Sequence, residues 1–85
     1  MLRISSTESA EREVTLRLEG QVRAPWLTVL RQSCNEVLAQ GRPLRLDMSG
    51  VLFIDSEGVT FLRSLAAQQV PFTNCSPFTT QQLRS

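Results

Sequence analysis

Apolar and polar residues alternate most cleanly at Val14, Leu16 and Leu18, with Thr15, Arg17 and Glu19 between them. That two-residue period turns one face of a strand toward a core and the other toward water. Leu2 to Ser6 predicts a short strand before it. The polar stretch Thr7 to Arg12 reads as the hairpin loop joining the two, and Gly20 is expected to end the second strand. The period then changes. Leu27, Leu30, Cys34, Val37 and Leu38 recur at three- and four-residue spacing, while Arg31, Gln32, Asn35 and Glu36 fall on the other side. This predicts an amphipathic helix over Pro25 to Gln40, with Pro25 in its first turn and Gly41 as its stop.

Leu44, Leu46 and Met48 alternate with Arg45 and Asp47, which predicts a central strand ending in a turn at Ser49-Gly50. The apolar run Val51 to Ile54 reads as a buried approach to the next helix. From Ser56 to Gln69, Val59, Leu62, Leu65 and Ala66 share a predicted helical face, with Asp55 as the cap. Val70 to Asn74 predicts a short strand, and Pro71, which has no ladder donor, assigns it to an edge or to a first-residue position. Ser76-Pro77 opens a last short helix anchored by Phe78 and Leu83. The predicted architecture is an α/β fold over residues 1–85 as one small domain. A mixed sheet of about four strands carries helices packed on it, in the order β-β-α-β-α-β-α.

An 85-residue chain buries only about 60–65% of the surface its unfolded form exposes, so the core is thin. At 41% hydrophobic and 20% charged, the composition is that of an ordinary globular domain. No apolar run approaches the roughly 20 residues that span a bilayer. Met1 to Ser6 lacks a charged leader, an apolar stretch and a cleavage site, so no signal peptide is expected and the cytoplasm is the expected compartment. Nine basic residues, all arginine, against eight acidic ones give a net charge of +1. The arginines run from Arg3 to Arg84 without a block, which offers no support for nucleic-acid or anionic-membrane binding. Cys34 and Cys75 are far apart, and there is no histidine. No zinc set, no cofactor and no Ser-His-Asp or Cys-His arrangement is expected; the two cysteines read as small core residues.

Candidate chemistry gathers where the apolar run ends in Asp55-Ser56-Glu57-Gly58. The Asp55 carboxylate can accept N–H groups that a helix start leaves unpaired, and Glu57 in the first turn complements the helix dipole. Gly58 keeps bulk off the corner, so the Ser56 hydroxyl stands near solvent. A phosphate there would place nearly two negative charges at the positive end of the helix. The fold tolerates that, whereas a partner docked over an already acidic corner would not. The plainer alternative is that Asp55-Ser56 is only a helix cap.

The stretch Leu46-Asp47-Met48-Ser49-Gly50-Val51-Leu52-Phe53-Ile54 leading into Asp55-Ser56-Glu57-Gly58 resembles the STAS domain family, which includes bacterial anti-sigma factor antagonists. The resemblance extends upstream through the strand ending at Glu19-Gly20 and the helix stopping at Gly41, and downstream to Ser76-Pro77. It implies a non-catalytic, protein-binding domain that acts in transcriptional signalling, with Ser56 as the phosphate acceptor. The unphosphorylated form would bind an anti-sigma factor kinase and free its sigma factor; phosphorylation would disengage it, and a phosphatase would reset it. Asp55, Ser56, Glu57, Gly58 and Arg63 are the expected partner-binding residues. Two departures stand out. Glu57 follows the acceptor where many switch members have Ser, Thr or Ala, and the chain stops at Ser85 where the family usually continues through a fuller helix.

A second role under the same resemblance is a small subunit on the ATPase of a bacterial phospholipid transporter, with the corner as an unphosphorylated docking surface. An enzyme is the alternative from another class. Asp47 and Asp55, the only aspartates, could do acid-base work or hold a metal if they converged in one pocket. Trp26 and Phe61 are candidate aromatic anchors, read either as partly exposed or as rim residues of the core. Arg63 could pair with a partner carboxylate or with a phosphate.

Overall fold

Alternation in the sequence becomes a sheet with one buried face. The structure, a computed structural model, describes residues 1–9 and 11–84. Strands β1 (Leu2–Glu8), β2 (Val14–Val22), β3 (Leu44–Ile54) and β4 (Phe72–Thr73) lie side by side in that order. β1 and β2 are antiparallel, and the β2–β3 and β3–β4 pairs are parallel. Helices α1 (Ala24–Ala39), α2 (Ser56–Ala67) and α3 (Pro77–Arg84) complete the expected order. Val14, Leu16, Leu18 and Val22 of β2, with Leu44, Leu46, Met48 and Ile54 of β3, are buried against Leu30 and Cys34 of α1 and Leu62 and Leu65 of α2. Burial pushes the Cys34 thiol up to about 11 and raises that of Cys75 in the same direction.

The opposite face is polar, and its registers set unlike partners together. Arg3 lies beside Glu19 and Arg17 beside Asp47, favourable cross-strand neighbours. Asp47 accepts hydrogen bonds from the Ser49 N–H at 2.9 Å and from the Asn74 amide at 3.1 Å. Chiefly through the Ser49 bond, then that of Asn74, and with a smaller contribution from Arg17, its carboxyl is held below the usual range.

Several element ends differ from expectation. β1 runs on to Glu8, because Ser6, Thr7 and Glu8 keep pairing with Leu16, Thr15 and Val14. The connection is therefore shorter than Thr7 to Arg12, and Ala10 within it lies outside the described residues, as does Ser85. Gly20 does not end β2. At φ 108° it bends the strand close to the Met1 carbonyl, where a side chain would clash, and pairing resumes to Val22. Ser49-Gly50 is not a turn either: β3 continues through it, with a register shift that sets Met48 and Ser49 against Leu18 alone. Gly50 permits this approach, since a Cβ there would meet the Glu19 side chain at 2.6 Å.

Both long helices close in the same manner. Gly41, at φ 68°, donates to the Leu38 carbonyl while Arg42 donates to that of Val37. At the end of α2, Gln69 occupies the equivalent left-handed position at φ 67°, with Gln69 bonded to Ala66 and Val70 to Leu65. α2 therefore stops at Ala67, short of the expected Gln69. β4 is a two-residue edge strand directly after Pro71, shorter than the predicted Val70 to Asn74. In α3 the Ser76 hydroxyl caps the Thr79 N–H at 3.1 Å. Thr79 is the buried residue there, while Phe78 is 59% exposed and anchors nothing. Leu83 packs partly against the core. Among the described residues no helix is long and apolar enough to cross a membrane, and no cluster of His, Cys, Asp or Glu could hold a metal.

Candidate functional site: a carboxylate shared by two helix starts

β2 and β3 end side by side, Val22 against Ile54, and each chain turns into a helix almost at once. The Asp55 N–H donates to the Val22 carbonyl at 3.0 Å, pinning the second turn to the first. From its extended N-cap conformation, the Asp55 carboxylate accepts the Gly58 N–H through Oδ1 at 2.7 Å and the Ala24 N–H through Oδ2 at 2.9 Å. Arg23, at the start of α1, supplies no side-chain cap of its own. One carboxylate thus serves the positive ends of α1 and α2 together. The expected cap of α2 is present, and its second bond, across 31 residues of chain, is the part local reasoning missed.

Gly58 is buried, not part of the exposed corner. A Cβ there would lie 2.7 Å from the Val22 carbonyl oxygen and 2.9 Å from Ile54 Cγ2. Its role is to let α2 approach the end of β2. Ser56 and Glu57 are exposed in the first turn of α2. They form one end of an open groove of about 530 Å³ between α1 and α2, whose walls include Leu27 and Arg31 of α1 and Phe61 of α2. Phe61, one of the proposed anchors, is only 7% exposed; it forms a wall of the groove, with the Arg31 guanidinium 5.0 Å from its ring centroid. It sits on the face where α1 leans against α2, which helical spacing within α2 alone does not report.

Arg63 is not brought to the corner. Its guanidinium donates to the Leu83 carbonyl at 3.0 Å and to the Gln82 carbonyl at 3.5 Å, tying α2 to the last turn of α3. Asp47 is also remote, at the far half of β3, eight residues and on the order of 20 Å from Asp55 along the strand. The two aspartates therefore do not converge, and the carboxylate pair that an enzyme reading requires is not assembled.

Of the run Val51 to Ile54, expected as a buried approach, Ile54 is buried and Val51 half-buried, whereas Leu52 and Phe53 are exposed. Between Val51 and Phe53 a second register shift leaves Leu52 without a partner on β2, and Leu52 is 77% exposed. Phe53 is 42% exposed, with the Arg23 guanidinium 5.8 Å from its ring centroid. Trp26, in the first turn of α1, is 37% exposed, as one of its two readings had it. Their signal lies in the run Val51 to Ile54, which is apolar at consecutive positions although a strand with one wet face should alternate.

The family described as "Mlab, STAS domain" matches residues 5–83 of the chain. Among solved structures, an anti-sigma factor antagonist from Mycobacterium paratuberculosis is similar in fold, with a TM-score of 0.71 at 19% sequence identity. The similarity covers 85% of this chain and 64% of that one, so the match spans less than two thirds of that protein. No curated protein matches the chain.

Proposed function

The chain belongs to the STAS domain family, and on that footing we propose that it is a non-catalytic protein-binding domain of the anti-sigma factor antagonist type. Its docking corner is Asp55-Ser56-Glu57, braced from beneath by Gly58, and its state is set by phosphorylation of Ser56. The observation that carries this reading is the engagement of both Asp55 oxygens by backbone N–H groups, which leaves the exposed Ser56 hydroxyl as the reactive group of the corner. A partner kinase of the anti-sigma factor kind supplies a nucleoside triphosphate. The Ser56 Oγ–H gives its proton to a carboxylate base of that kinase, an Oγ–P bond forms to the γ-phosphorus, and the bond from that phosphorus to its bridging oxygen breaks to release the diphosphate. Leu52, Phe53 and Trp26 provide apolar contact area beside the corner, of the kind that anchors protein interfaces. The new charge repels an acidic partner surface and adds a desolvation cost to any surface that covers it. Such a switch operates in the bacterial cytoplasm and regulates transcription through its partner.

Glu57 favours a second reading. Exposed next to Ser56, it gives the corner a permanent negative charge without any modification, which suits a fixed docking subunit on the ATPase of a phospholipid transporter. One experiment separates the two: recovery of the native protein from its own cells, followed by mass spectrometry of its partners and of the peptide containing Ser56. The switch reading expects a kinase-like anti-sigma factor and phosphate on Ser56. A transporter ATPase together with unmodified Ser56 overturns it. With the purified partner, Ser56→Asp is expected to weaken binding at least tenfold at unchanged melting temperature, and equal binding by the two forms would sink the switch.

A further inference from the structure

Building on the reading of Ser56 as a phosphate acceptor, we infer that Arg31 is the residue that takes up the phosphate. A phosphoryl group on Ser56 draws the Arg31 guanidinium off the Phe61 ring, and the two together close the groove between α1 and α2. Arg31 and Ser56 line the same groove, and Arg31 is the basic side chain among its described walls. Its recorded contact is the ring of Phe61 at 5.0 Å; the ion pairs among the described residues belong to Arg42 and Arg45. The Arg31 guanidinium over the Phe61 ring makes one cation–π contact, whereas a guanidinium on a phosphate forms two parallel charge-assisted hydrogen bonds. Phe61 lies five residues beyond Ser56, about 7.5 Å along the helix axis, and both line the groove that Arg31 enters from α1.

The other charges at the corner leave this role to Arg31. Asp55 is already engaged by the Gly58 and Ala24 N–H groups. Glu57 lines the groove as the competing anion, a single charge against a phosphate that carries nearly two. Arg23 stands over Phe53 and bonds to the Gln21 side chain. Arg63, the cation that the sequence proposed, is committed to the carbonyls of α3. Phosphorylation then has two effects on a partner, since it adds charge at the corner and removes the groove beside it.

The test is made on the full chain with phosphoserine installed genetically at position 56, so that no kinase is needed, and the phosphate is titrated by phosphorus NMR. Glu57 and Arg31 are the charged groups that line the groove with Ser56, and Asp55 precedes it with both oxygens already engaged. Arg31→Gln is expected to raise the second phosphate pKa by about half a unit, roughly threefold in proton affinity, and Arg31→Lys by less. Superimposable titrations of the wild type and Arg31→Gln overturn the assignment. Melting curves of the unphosphorylated variants confirm that both remain folded. Native protein lacking phosphate on Ser56 would defeat the switch reading and leave this titration standing, so the two failures are distinguishable.

Discussion

The two halves of β3 are one strand built under two sets of rules. From Leu44 to Met48 inward and outward residues alternate, each inward side chain is buried, and Leu46 and Asp47 have neighbours on both sides. From Ser49 to Ile54 the register slips twice, β4 no longer runs alongside, and Leu52 and Phe53 stand exposed. The first half is sheet core. The second turns Leu52 and Phe53 to solvent and delivers the chain to Asp55, where two helix starts meet. The difference teaches that an irregular ladder can break the link between hydrophobicity and burial: Leu52, unpaired at the second bulge, is exposed, although Met48 at the first stays buried. At the second bulge the extra residue, Leu52, leaves the alternation and stands in solvent.

Leucines at the two ends of this strand give the sharpest contrast. Leu46 is fully buried at the centre of the sheet, so Leu46→Ala should cost about 3–4 kcal/mol in urea unfolding, a large share of the stability of so small a domain. Next comes the junction itself. Asp55→Ala removes a cap from two helices at once, and the expected loss is about 2 kcal/mol, more than the roughly 1 kcal/mol of a single cap. A loss of no more than 1 kcal/mol would mean that the bond to Ala24 contributes little. A smaller effect, confined to part of the pH range, belongs to Asp47. Its carboxyl titrates lower in the folded chain than in the unfolded one. Its contribution is therefore present above the unfolded value of about 3.9 and disappears as pH falls through the folded one. Asp47→Asn should be less stable than the wild type at neutral pH and converge with it in acid; a gap that persists at low pH would remove ionisation as the cause. Smallest on stability is Leu52→Ser, within about 0.5 kcal/mol of the wild type because the side chain is already in water. Partner binding should nevertheless fall at least tenfold, and unchanged binding would return the bulge to a purely structural role.

Legibility followed the range of each interaction. α1 was readable to within a residue at both ends, because Pro25 and Gly41 act through their own backbone preferences. α2 closes by the same pair of bonds at Gln69, yet glutamine carries no preference for a left-handed conformation, so its end was placed two residues too late. The turn expected at Ser49-Gly50 failed for a related reason. Glycine there answers to a neighbouring strand that comes too close for a side chain, and glycine for a turn and glycine for a close approach look alike in a sequence.

By itself the sequence determined the order of strands and helices, the one-sided sheet, the cap at Asp55 and an exposed Ser56 in the first turn of a helix. Periodicity and capping act over a few residues and are written locally. Only the tertiary structure decided that the Asp55 carboxylate also holds α1, that Gly58 serves packing, that Arg63 is bound to α3, and that Arg31 shares a groove with Ser56. Each of these joins residues more than a dozen positions apart, and which distant groups meet depends on how strands register and helices lean, through sterics that no local pattern records.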